Sequence, residues 1–64
     1  MKWYRIELKR KGMVLGRYHG YDVELALHYI HKWNDVVKKH EAHHFQVSIQ
    51  TNDKHFSDRL NVLV

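Results

Sequence analysis

The sequence predicts an α+β domain in which one helix packs across an antiparallel sheet of three to four strands, in the order β-β-α-β-(β). Three observations predict it. Apolar and polar residues alternate with period two on both sides of a glycine-marked turn before Gly20, the period lengthens to that of a helix from Asp22 to Glu41, and alternation returns from His44 to Thr51.

The first strand runs from Lys2 to Lys9, with Tyr4, Ile6 and Leu8 on one side and Trp3, Arg5, Glu7 and Lys9 on the other. The second runs from Met13 to His19. Between them Arg10-Lys11-Gly12 suits a three-residue hairpin loop, with Gly12 in the left-handed conformation that side chains disfavour. That loop pairs Lys9 with Met13, Leu8 with Val14, Ile6 with Gly16 and Tyr4 with Tyr18. The core face is then Tyr4, Ile6, Leu8, Val14 and Tyr18, and the outer face carries Trp3, Arg5, Glu7, Lys9, Met13, Leu15, Arg17 and His19. A two-residue loop at Lys11-Gly12 would oppose Ile6 to Arg17, so the longer loop is preferred because it keeps charge out of the core.

Asp22 is placed to cap the helix, while Lys38, Lys39 and His40 suit its negative end. Val23, Ala26, Leu27, Ile30, Trp33 and Val37 follow the i, i+3, i+4 rule and form the stripe expected on the sheet. Leu25, Tyr29 and Val36 make a second apolar row, a candidate flank for a homodimer. In the third strand Phe45, Val47 and Ile49 point inward. Asn52-Asp53-Lys54 reads as a turn. Beyond it Leu60, Val62 and Val64 alternate like a fourth, edge strand, although Ser57-Asp58 could also open a helical turn.

At 64 residues the chain holds one hydrophobic core, so residues 1–64 form a single small domain near the lower limit of independent stability. It has no cysteine, which removes disulfides and fits a reducing compartment. No apolar run reaches the roughly 18–20 residues of a membrane span, and no signal-peptide stretch opens the chain. The expectation is a soluble, cytoplasmic protein with no membrane partner.

Chemistry-bearing patterns are few. Ser48 and Ser57 lie in no nucleophile motif, and Gly12, Gly16 and Gly20 do not form a phosphate loop, so neither enzyme activity nor a cofactor is expected. Of the seven histidines, His28 and His31 with Asp35 have ligand-like helical spacing. An open helix face without supporting residues more often meets solvent, so no bound metal is expected. His40, His43 and His44 cluster where the helix ends.

The strongest signal is charge. The net charge is +4, and it is concentrated in the first 19 residues, where Lys2, Arg5, Lys9, Arg10, Lys11 and Arg17 face one acid, Glu7. A solvated face accounts for cations, but it accounts poorly for Trp3, Met13 and Leu15 among them. The candidate binding surface is therefore Trp3, Arg5, Lys9, Met13, Leu15, Arg17 and His19, with Arg10 and Lys11 at the loop tip. Its partner is expected to be a protein, with nucleic acid as the alternative.

The stretch from Trp3 to Trp33, WYRIELKRKGMVLGRYHGYDVELALHYIHKW, resembles the strand-turn-strand-helix unit of small phage-encoded inhibitors, including an inhibitor of bacterial RNA polymerase and some anti-CRISPR proteins. The resemblance is one of pattern and length. It implies an inhibitor or adaptor acting on a host defence or transcription protein in the host cytoplasm. LGRYHGYDVELAL is also similar to the last strand and helix of plant-type and integrase-type DNA-binding domains, which place three strands before the helix where this chain offers two. Neither resemblance assigns a role to a particular residue.

Overall fold

Tyr4, Ile6 and Leu8 alternate along β1 (Tyr4–Arg10), which becomes the middle strand of a three-stranded antiparallel sheet in the order β2-β1-β3. The computed structural model describes residues 1–62. β2 (Met13–Gly20) and β3 (Phe45–Thr51) pair on either side of β1, and helix α1 (Val23–Lys39) packs across one face of the sheet. The fold is thus α+β, as the periodicities predict.

The hairpin register differs from expectation. Lys11 and Gly12 both take positive φ, 51° and 80°, the requirement of a tight two-residue turn whose twist suits a hairpin. Arg10 therefore pairs with Met13 and Lys9 with Val14. The register then shifts between Lys9 and Leu8, and Leu15 is the extra residue of a β-bulge. Beyond it Leu8 faces Gly16, Glu7 faces Arg17, Ile6 faces Tyr18 and Tyr4 faces Gly20. Charge is kept out of the core by the bulge and not by a longer loop. Val14, expected in the core, is exposed opposite Lys9.

α1 begins where Asp22 Oδ1 accepts the backbone N–H groups of Glu24 and Leu25 at 2.9 and 3.2 Å, satisfying two donors that have no partner inside the helix. Its inward stripe buries Ala26, Ile30 and Trp33 against Tyr4 and Ile6, with Val23 and Leu27 at the margin. Trp33 lies so close to β2 that a Cβ on Gly16 would sit 3.1 Å from its Cζ2, so a side chain at this strand position would push on the indole ring. Tyr29 stacks on Tyr18 at 5.3 Å and tilts against Trp33 at 5.0 Å. Tyr29 is thus engaged within the chain, and of the predicted dimer flank only Leu25 is exposed, Val36 being half-buried.

The expected fourth strand is a helix, α2 (Phe56–Val62), and Val64 lies outside the described residues. Phe56 and Leu60 anchor the helix to the core. At i and i+4 they share one helical face, and both pack on the core, Phe56 at 5.0 Å from the Tyr4 ring. A strand would have sent them to the same side as well, but Asp53 favours the helical turn. Its Oδ1 accepts the His55 N–H at 3.0 Å and its backbone carbonyl accepts that of Phe56 at 3.2 Å. The other carboxylate oxygen accepts the buried Tyr4 hydroxyl at 2.7 Å, so one acid starts α2 and ties it to the middle strand.

Candidate interaction surface on the hairpin

α1 crosses β1 and β3 and touches β2 where Trp33 covers Gly16 and Tyr29 stacks on Tyr18, which leaves two parts of the hairpin open. One is the sheet face opposite the helix. The other is the hairpin tip, beyond the reach of α1.

The open sheet face centres on Glu7. Arg17 and Ser48 flank it on the neighbouring strands, His19 and Gln50 flank Arg5, and Val14 and Gln46 flank Lys9. Glu7 is buried although no layer covers this face, because long neighbours close over a residue of the middle strand. Arg17 reaches its Oε2 with Nε at 2.7 Å and Nη2 at 2.6 Å, and the Lys9 ammonium lies 3.7 Å from Oε1. The Arg17 hydrogen bonds hold the Glu7 carboxyl below its ordinary value, against the opposing effect of burial. Arg5 donates to Gln50 Oε1, from Nε at 2.8 Å and also from its terminal nitrogen. Trp3 meets the His19 ring edge-on at 6.2 Å, and with Arg5 and exposed Tyr21 the two line a shallow depression of about 300 Å³. The strand cations are thus each held by an acid or an amide, with Glu7 the one carboxylate among three of them, so this face keeps a positive charge whose side chains are fixed in place.

The tip is different in composition. Arg10, Lys11, Met13, Leu15 and Phe45 line one cleft of about 320 Å³, with Met13 66% and Leu15 51% exposed. The Arg10 guanidinium lies over the Phe45 ring, 6.0 Å from its centroid. Met13 and Leu15 therefore belong with Arg10 and Phe45, and not with Trp3, Arg5 and Arg17 as the expected register had it. In the observed register Met13 faces Arg10 and so lies on the side of Leu8 and the helix, past the point where α1 covers it. Sequence reasoning missed Glu7 as the centre of the open face and Phe45 as the floor of the cleft. Only the position of Phe45 at the start of β3, opposite Arg10, marks it, and that pairing is not visible locally.

The remaining candidates do not converge. His28 contacts the edge of Tyr29, while His31 and Asp35 border one groove with Ile30, Ile49 and Leu60 that His28 does not line, and Asp35 there pairs with Lys39 at 3.0 Å. Among the described residues no three histidines or acids are grouped as metal ligands would be.

Three groups predict the pH dependence of the fold. Glu7 is lowered from 4.5 mainly by Arg17, and Asp53 is lowered from 3.8 mainly by the Tyr4 hydroxyl. The stability from each is fully present above its ordinary value and is lost as pH falls through the lower value it holds in the fold. Burial and the Asp53 hydrogen bond raise Tyr4 above 10.0, so its contribution is present below pH 10.0 and lost as pH rises through the folded value. Urea midpoints should therefore decline below pH 4.5 and above pH 10.0. Glu7→Gln should shrink the acid decline, and an acid limb unaltered by that substitution would contradict the role given to Arg17.

No family model, curated protein or solved structure significantly matches this chain.

Proposed function

We propose that this chain is a small, non-enzymatic binding protein that docks a partner protein with its hairpin tip, in the manner of an inhibitor or adaptor. The observation that carries the reading is the run Met13-Val14-Leu15, exposed on an edge strand at the end of the sheet that α1 leaves uncovered, with Met13 and Leu15 on the tip cleft and Val14 on the opposite face. In a chain with so small a core, three adjacent apolar side chains left in water are better explained by a partner that covers them than by folding. The bulge at Leu15 interrupts the strand edge, which discourages indiscriminate sheet pairing and favours side-chain recognition. The resemblance to phage-encoded inhibitors supports a host defence or transcription protein in the cytoplasm as the partner.

The test is capture from a nuclease-treated lysate of the cell type in which the chain acts. Wild type and a His19→Ser control on the open face should retain the same partner. Met13→Ser with Leu15→Ser should lose it while its urea midpoint stays near that of wild type, since both positions are exposed. A partner that disappears on nuclease treatment would overturn the reading in favour of nucleic acid.

A further inference from the structure

We infer that the hairpin tip takes an acidic segment with an apolar anchor: a leucine- or phenylalanine-sized side chain seated among Met13, Leu15 and Phe45, with flanking carboxylates on Arg10 and Lys11. The inference rests on the proposed docking role of the tip and adds the chemistry of what docks there.

Its basis is how the hairpin distributes its charge. Arg17 and Lys9 are drawn onto Glu7, Arg5 is held by Gln50, and Lys2 lies 3.6 Å from Asp53. Arg10 and Lys11 have no acidic partner among the described residues, so two exposed cations stand on the rim of the apolar cleft with no side chain of the fold to hold them. A cleft of about 320 Å³ with an apolar floor suits one buried anchor, and exposed cations at its edge suit recognition of carboxylates that remain partly in water. Met13 brings an unbranched, adaptable side chain to the wall. A second copy is the poorer occupant, because tip-to-tip pairing about a two-fold axis would set Arg10 and Lys11 against their own counterparts. Nucleic acid would satisfy the cations while leaving Met13 and Leu15 without apolar contact.

The probe is a synthetic peptide of one phenylalanine flanked on both sides by aspartate and glutamate, titrated into the isotopically labelled full chain at low salt and followed by NMR. Saturable shifts at the Met13 methyl group and at the amides from Arg10 to Leu15 are expected. They should vanish when the phenylalanine is alanine and weaken about tenfold with Arg10→Glu and Lys11→Glu, equivalent to about 1.4 kcal/mol. The charge-reversed protein should instead accept a lysine-flanked phenylalanine peptide. Arg10→Gln with Lys11→Asn supplies a neutral counterpart, asparagine being at ease in the left-handed turn conformation of residue 11.

Absence of saturable shifts, equal binding of the alanine peptide, or shifts that follow protein concentration alone would each overturn the inference. The failure of the docking role itself is separable. A natural partner lost by Met13→Ser with Leu15→Ser but kept by both charge variants leaves the tip as the docking site and refutes the acidic segment.

Discussion

Trp33→Ala is expected to lower unfolding free energy by about 3–5 kcal/mol, the usual range for removing a buried aromatic side chain. For a chain of this length the whole stability is roughly 3–10 kcal/mol, so a large unfolded fraction should appear at 37 °C. Trp33 joins three parts of the fold: it fills the space above Gly16 on β2, abuts Tyr29, and belongs to the core with Ile6 and Ile30. A partner substitution makes the prediction sharper. Gly16→Ala alone should destabilise by about 1–3 kcal/mol, because its Cβ would press on the indole ring. In the Trp33→Ala background the same change should be close to neutral. Urea titrations of the four proteins give the coupling directly, and strictly additive effects would refute the close approach.

Ile6→Ala should cost about 2–5 kcal/mol. Among the described residues Ile6 is the one large side chain that is fully buried, at 0% exposure, and it sits on the middle strand between Tyr18 and Ile49. The cavity would open beneath α1, where β1 is held by strands on both sides and cannot easily collapse into it. A loss below about 1 kcal/mol would mean that the core does not centre on β1.

Much of this arrangement is readable from local pattern. The spacing of Ala26, Ile30 and Trp33 identifies the buried face of α1, Asp22 marks its start, and the alternation of Phe45, Val47 and Ile49 marks β3. The hairpin register is not readable in this way. A three-residue loop and a two-residue turn followed by a bulge both leave Tyr18 inside and Arg17 outside, and they differ at Met13, Val14 and Leu15, which are all apolar, so hydropathy cannot separate them. Only the positive φ of both Lys11 and Gly12 does, and lysine is not a residue that announces it. The choice moves Val14 outward and joins Met13 and Leu15 to Phe45.

Strand order is equally hidden. That β1 is central, with β3 on its far side, follows from contacts distant in sequence, and this placement alone turns Glu7 from a surface acid into a buried hub. The tail was ambiguous for a different reason. Leu60 and Val62 alternate as a strand would, and the helix is selected by Asp53, whose carboxylate serves the His55 amide and the Tyr4 hydroxyl together.

On the proposed reading the hairpin tip, and neither the open sheet face nor the flank of α1, meets the partner. Site-specific photo-crosslinking inside the cell tests it most directly, with a photoreactive residue placed in turn at Met13, His19 and Leu25, three exposed positions on the three surfaces. A discrete protein adduct is expected from position 13 and none from positions 19 or 25. An adduct from position 19 or 25 with none from position 13 would contradict it.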